Sequence, residues 1–253
     1  MTSLAERHPH PRDSRISFQP ASHTYTIVDV AKRVRSVTTI IHSHFPRFDA
    51  DQVLAKMRGK AEKYPNASDA QIKEMWSRQG KEAARLGTLL HAHIEQWYNE
   101  PDLDMKIDAE IQKEWTQVMQ FHHDVVVKEH LQPYRTEWSV FDEDAVVAGQ
   151  IDMVFRRADG TYALYDWKRI KELKTDNPWE KGTGVCAALD HCNGVHYSLQ
   201  LNLYRYLIET RYGIQVSEMN LVLFHPERDE FERVHIAVMN PDLIKSILTG
   251  KKK

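Results

Sequence analysis

The chain has 253 residues, enough for one generous domain or a core with a helical annex, and its 42% hydrophobic and 28% charged content is ordinary for a globular protein. A formal net charge of −2 excludes a strongly basic protein, so any nucleic-acid contact has to come from local patches. Two cysteines, Cys186 and Cys192, exclude a disulfide scaffold or a four-cysteine cluster, and no apolar run approaches a membrane span; an intracellular protein, cytoplasmic or nuclear, is expected.

Residues 1–15 hold His, Pro and Arg without an apolar stretch, which predicts a loose, flexible tail and no secretory signal. Residues 16–253 are expected to form a single domain, with a hairpin and helical part over 16–130 and the core over 131–248. Alternation at Ile16, Phe18, Tyr25 and Ile27 predicts a short hairpin over 16–29. Ser36 to His44 reads as one or two helical turns. Asp49 to Tyr64 reads as a helix ended by Pro65, acidic in its first turn and basic later. Ser68 with Gln71 fits a capping box that opens the next helix. Lys81–Tyr98 carries the apolar stripe Leu86, Leu90, Ile94 and Trp97, and a further helix is expected from about Asp108 to His130.

The pattern then changes to three antiparallel strands, Thr136–Phe141, Val146–Arg157 and Tyr162–Lys168, joined at 142–144 and 158–160. Residues 170–195 are irregular. A helix from about Tyr197 to Tyr212, two strands near 218–225 and 230–238, and a short helix over 242–248 complete the chain. The order predicts an α/β or α+β fold, a central mixed sheet with helices on its faces.

The chemistry concentrates in Gly149-Gln-Ile-Asp152 and Tyr165-Asp166-Trp167-Lys168. Asp166 and Lys168 share one face of a strand, with Leu164, while Tyr165 and Trp167 face the other way. If Ala158-Asp159-Gly160 is a three-residue loop, Asp152 lies opposite Asp166 and the two carboxylates stand roughly 5 Å apart. A two-residue turn would put them on opposite faces. The first is preferred because Gly160 can take the left-handed position. Like charges so placed repel, and a divalent cation reverses the sign; oxygen ligands suit Mg²⁺ or Mn²⁺. By itself D-x-K is a short motif that solvated edge hairpins also carry.

His91 and Glu95 lie one helical turn apart, placing His91 as a nitrogen ligand and Glu95 as a contact to a water, or simply as a surface pair. Gly87, a turn earlier, would allow close helix approach. Glu137 depends on the 142–144 turn: a three-residue loop puts it opposite Gly149 and away, a two- or four-residue loop opposite Gln150 on the Asp152 face. Gln200 and Tyr204, with His196 extending the row, form a polar line on an apolar helix, suited to a phosphate contact or to bracing the lysine; an ordinary amphipathic helix reads the same way. Lys56, Arg58, Lys60, Lys63, Arg78, Lys81 and Arg85 are candidates for a phosphate-binding wall, or a solvated face.

In order, Gly87-Thr-Leu-Leu-His91, Glu137, Gly149-Gln-Ile-Asp152, Asp166-Trp-Lys168 and Gln200-Leu-Asn-Leu-Tyr204 resemble the RecB-type branch of the PD-(D/E)XK nuclease superfamily over roughly residues 85–210. Phe18, His23-Thr-Tyr25 and Ser36-Val-Thr-Thr39 are similar to a hairpin preceding the core in some viral and phage relatives. The resemblance implies a restriction-endonuclease-like core with an N-terminal helical annex. It implies that His91, Asp152 and Asp166 bind Mg²⁺ or Mn²⁺; the main-chain carbonyl of Trp167, between the two motif residues, is a further candidate ligand. It also implies that Lys168 positions water or steadies charge, and that the Gln200/Tyr204 helix supports the site and touches DNA. In lambda-type and mitochondrial genome maintenance exonucleases the annex guides single strands. Ile151 replaces the motif's Pro, and Asp166 stands where Glu is frequent. The cysteines of an iron–sulfur cluster are missing, so no cluster is expected, and no Walker loop is present. Metal-assisted hydrolysis of DNA follows, by an exonuclease on single strands or DNA ends. A structure-selective endonuclease or an inactive binding module are the alternatives; neither membrane association nor any particular oligomeric state is implied.

Overall fold

The structure, a computed structural model, describes residues 2–57, 64 and 67–250. In chain order these form α1 (Leu4–Arg7), β1 (Ile16–Gln19), β2 (Thr24–Ile27), β3 (Arg35–Ser36), α2 (Val37–Ser43), α3 (Ala50–Met57) and α4 (Asp69–Asn99). Then follow α5 (Gln112–Phe121), β4 (Gln132–Asp142), β5 (Val147–Arg156), β6 (Tyr162–Arg169), α6 (Asn193–Arg211), β7 (Val216–Phe224), β8 (Glu232–His235) and α7 (Pro241–Thr249). β1 and β2 form the expected hairpin. The other strands make a six-stranded mixed sheet of order β3-β5-β6-β7-β8, with β4 also paired to β5. The β3–β5 and β6–β7 pairs are parallel and the rest antiparallel, so the fold is α+β.

Alternation on β6 sorts the two layers. Leu164 packs with Val154, Leu221 and Leu223 toward α2, α6 and α7, where Leu199, Leu203 and Leu207 are buried. Tyr165 and Trp167 pack with Phe155, Val222 and Phe224 toward α4 and α5, against Leu90, Ile94 and Phe121. Each such side chain contributes about 1.5–3 kcal/mol on burial. The sheet is therefore covered on both faces, and polar groups on β5 and β6 are buried unless they sit near the strand ends.

Several elements depart from expectation. The Ser68–Gln71 capping box is present, but α4 runs on through Gly80 as one helix of 31 residues. Nothing lies within 4 Å of a methyl group built on Gly80 or on Gly87, so Gly87 does not serve close packing. The helix expected over 49–64 is described to Met57; Pro65 and the basic residues Arg58, Lys60 and Lys63 lie outside the described residues. The helix expected over 108–130 begins as a tight turn at Ala109–Ile111 and ends in a wide π turn at His122–Val127. α6 starts at Asn193, four residues earlier than predicted, and Gly213 (φ 65°) follows its end.

Residues 2–15 are not a loose tail. Leu4 is 2% exposed, and its amide donates to Asn99 Oδ1 at 2.8 Å. Asp13 accepts from Arg135 (2.8 Å) and from Trp138 Nε1 (2.9 Å), which ties the segment to β4. Arg12 and Arg15 both reach Glu143, and the Arg12 guanidinium, with smaller contributions from Arg15, holds that carboxyl down to about 2. The partners lie 95 or more residues away, which local composition does not reveal.

Candidate active site

The β5–β6 hairpin closes through the three-residue loop 158–160. Arg157 and Thr161 pair across it (2.8 Å), and Gly160 sits at φ 84°. The register runs from Arg156↔Tyr162 to Met153↔Tyr165, so the next positions, Asp152 and Asp166, come together at the end of the ladder. There the Trp167 amide donates to Asp152 Oδ2 at 2.8 Å. Asp152 is 8% exposed and Asp166 1%.

Glu137 joins them on the Asp152 face, through a four-residue turn, in a register two residues from the one expected. The β4–β5 register is Trp138↔Ile151 and Thr136↔Met153, which brackets Glu137 against Asp152, not Gln150 or Gly149. The turn lies at 143–146, where Asp142 Oδ1 accepts from the amides of Asp144 and Ala145. Glu137 has a positive φ of 43°, a conformation that strains a residue bearing a Cβ and is found disproportionately at functional sites. Its carbonyl accepts from Gln150 Nε2 at 3.1 Å.

His91 enters from α4. Its Nδ1 lies 3.5 Å from Glu137 Oε1 and 3.7 Å from Asp152 Oδ2. Its Nε2 donates to the Trp167 carbonyl at 3.0 Å, since a carbonyl can only accept. That carbonyl, expected as a metal ligand, here orients the imidazole, as backbone carbonyls behind metal-binding histidines commonly do. His91, Glu137 and Asp152 each offer a ligand atom, all within 4.8 Å of one another.

Asp166 stands just outside that trio, paired with the lysine. Its Oδ2 is 2.5 Å from Lys168 Nζ, and its Oδ1 accepts from Gln200 Nε2 at 3.1 Å. Gln200 is in turn 3.4 Å from the Tyr204 hydroxyl. Tyr204 can lie there because position 149 is glycine: a Cβ at Gly149 would be 2.6 Å from Tyr204 Cε1.

The site is electrostatically crowded. Burial pushes Asp166 up to about 6, against the opposing pull of Lys168. Asp152 is likewise raised, chiefly by burial and further by Glu137. Burial alone would lower His91, but Asp152 and Glu137 outweigh it and carry the imidazole up to about 9. Burial also opposes the charge on Lys168; Asp166 and Asp152 overcome it and keep the amine cationic.

Two contributors were missed. Tyr25 on β2 is 5% exposed, its hydroxyl raised by burial and by nearby Glu137 and Asp152. Tyr197 places its ring 4.9 Å from Lys168 Nζ, a cation–π contact. Tyr197, Gln200 and Tyr204 share a helix face at spacings of three and four, a signal present in the sequence. His196 is not on that row: it packs on Phe45 (centroids 4.3 Å) and stacks on His191 (5.1 Å).

Other candidates stay apart. Glu95 is half-buried and outside the ligand trio; burial raises its carboxyl and His91 eases it. Of the basic wall, Lys56, Arg78 and Lys81 are exposed, while Arg85 is engaged by Glu82 (2.7 Å) and Glu110 (2.5 Å). Cys186 and Cys192 are free thiols, both buried.

Three carboxylates and an imidazole with so little exposure suit a divalent ion, which would take over the balancing charge that protonated His91 otherwise supplies. Oxygen donors with a single nitrogen match hard or borderline cations.

A family model described as the PD-(D/E)XK nuclease superfamily matches residues 62–249. No curated protein matches the chain. Among solved structures, that of SSO0001 is similar at 13% identity and a TM-score of 0.37, covering 86% of this chain and 76% of that one. The "Putative exonuclease" of Eubacterium rectale is similar at 13% identity and a TM-score of 0.41, with 66% of this chain covered and 62% of that one. No helix among the described residues is long and apolar enough to cross a membrane.

Proposed function

The chain belongs to the PD-(D/E)XK nuclease superfamily, and from that premise we propose that it is a divalent-metal-dependent nuclease that hydrolyses DNA phosphodiester bonds. The observation that carries this reading is the convergence of His91, Glu137 and Asp152 within 4.8 Å, beside the Asp166–Lys168 pair. Mg²⁺ or Mn²⁺ would be held by these four acids and bases, His91, Glu137, Asp152 and Asp166. When bound, the ion supplies polarisation of the scissile phosphate and a lower pKa for the attacking water.

The protein's own groups do the rest. Asp166 and the Tyr197 ring fix the Lys168 ammonium at the mouth of the acidic pocket. The carboxylates keep that amine charged in the metal-free site, which suits it to steady negative charge on the phosphoryl oxygens. Gln200 and Tyr204 hold Asp166 from behind. Trp167 grips Asp152 with its backbone N–H and His91 with its backbone carbonyl, so a single residue's main chain orients two ligands.

An exonuclease preferring single strands or DNA ends is the form of the activity we favour, supported by the resemblance of the five ordered motifs and the helical annex to such enzymes. The test is to incubate end-labelled linear and circular single-stranded DNA with Mg²⁺, Mn²⁺ or EDTA. Mononucleotide release from linear DNA, absent in EDTA, is expected. Cleavage of circles would make it an endonuclease, and binding without cleavage would reduce it to a DNA-binding module.

A further inference from the structure

Between β6 and α6 the chain makes an excursion that is internally braced. Lys181 pairs with Asp190 and bridges it, the His191 amide donates to the Glu180 carbonyl (2.9 Å), and the Gly182 amide to that of Leu189 (2.9 Å). Asn177 ties the start to the end, donating to the His191 carbonyl at 2.8 Å and accepting from the Trp179 amide at 3.1 Å. On this braced segment Trp179 is 92% exposed, more than any other large hydrophobic side chain among the described residues. An indole left in water on a fixed backbone is unusual, because Trp is highly buried on average.

Trp179 lines a groove of about 650 Å³, with Lys174, Asp176, Asn177, His191 and His196 among its walls. That volume lies in the range of small-molecule sites. Lys174 makes no ion pair among the described residues, and Asp176 offsets its charge, so the groove is not an anion trap. Asn177 already uses its side-chain oxygen and nitrogen, which leaves little to read the edge of a ligand. What the groove offers is an aromatic face. It also opens about one helical turn from the reacting centre: Asn193 on its wall shares a face of α6 with Tyr197, four residues on, whose ring is 4.9 Å from Lys168 Nζ.

We propose that this groove receives an unpaired nucleobase of the substrate strand, stacked on Trp179, next to the scissile phosphate. The proposal rests on the nuclease reading and gives it a strand preference: a base inside a duplex is stacked on its neighbours, whereas an unpaired one has its face available. Stacking is tolerant of base identity, since every base has a π face, so the groove favours single strands without selecting sequence.

The test is the binding of fluorescein-labelled oligo-dT to the full chain in EDTA, followed by anisotropy, for wild type, Trp179→Ala and Trp179→Phe. Because Trp179 is solvated, neither change threatens the fold, which circular dichroism checks. The expected result is about tenfold weaker binding for Trp179→Ala, the loss of one base–aromatic stack, with most affinity restored by Phe and no change for blunt duplex. Equal affinity of wild type and Trp179→Ala for oligo-dT, or an equal loss for duplex, overturns the proposal. Hydrolysis of bis(p-nitrophenyl) phosphate with Mn²⁺, a diester without a nucleobase, reports on the nuclease reading separately. It should be the same in wild type and Trp179→Ala; a selective loss there would make Trp179 part of the chemistry and also overturn the proposal.

Discussion

A methyl group on Gly149 would lie 2.6 Å from Cε1 of Tyr204 and 3.1 Å from its hydroxyl, closer than packed atoms approach. Tyr204 is fully inside the fold, and its hydroxyl is the far end of a chain that runs through Gln200 to Asp166. Gly149→Ala should therefore cost about 1–3 kcal/mol of stability, as overpacking does, and displace the ring that supports Asp166. Urea unfolding and the cleavage rate should both fall. Gly149→Ala combined with Tyr204→Leu should recover stability but not activity, because the volume conflict is relieved while the hydroxyl is gone.

Lys168→Ala is expected to abolish cleavage, a loss of at least about a hundredfold in rate, as when a group facing developing charge is removed. It also leaves the Asp166 carboxyl, pushed up to about 6 even with its partner present, without a cation. Asp166 should then take up a proton near neutrality, so the fold survives. Cleavage at the wild-type rate, with circular dichroism unchanged, would remove the lysine from the mechanism.

Metal binding should release a proton. His91 is raised to about 9, so in the metal-free protein at pH 7 it is an imidazolium facing Glu137 and Asp152. A ligand nitrogen has to be unprotonated. Affinity for Mn²⁺ should climb between pH 7 and pH 9 by up to about tenfold per unit, and calorimetry in two buffers should find about one proton released per ion. The same shift stabilises the metal-free fold, fully below about pH 6.5 and progressively less as pH rises through 9. Equal proton release from His91→Ala would contradict this assignment.

His196 moves stability the other way. Burial, with His191 and His42 nearby, lowers it to about 4. Between about pH 6.5 and 4 the unfolded chain binds a proton that the folded chain refuses, so stability falls as pH falls across that window, by up to about 1.4 kcal/mol per unit for this one site. His196→Gln should flatten the pH dependence of the urea midpoint between pH 6.5 and 5; an unchanged slope would show that the imidazole titrates normally.

The parts of the site that were legible in the sequence are those set by local geometry. Gly160 fixes a three-residue loop, which fixes the β5–β6 register, which brings Asp152 to Asp166 and turns Lys168 onto the same face. The capping box at Ser68 is equally local. Glu137 was legible only as one of two outcomes, because its face depends on the length of the turn, set at 143–146 with the Asp142 side chain bracing it, and its exact partner on its own left-handed backbone. The pairing of Asp166 with Lys168, and of Trp167 with both Asp152 and His91, depends on which donors remain once the strands are packed. Residues 1–15 mislead for the same reason: Asp13 is ordered by Arg135 and Trp138.

Carboxylates from β4, β5 and β6 are expected to meet with His91 around one divalent ion. Electron paramagnetic resonance of free Mn²⁺ during titration of the protein measures that directly. Wild type should bind Mn²⁺, and Asp152→Asn, which alters the acid touching both His91 and the Trp167 amide, should bind it at least about tenfold more weakly while still folding. Binding by Asp152→Asn at wild-type strength would contradict the account.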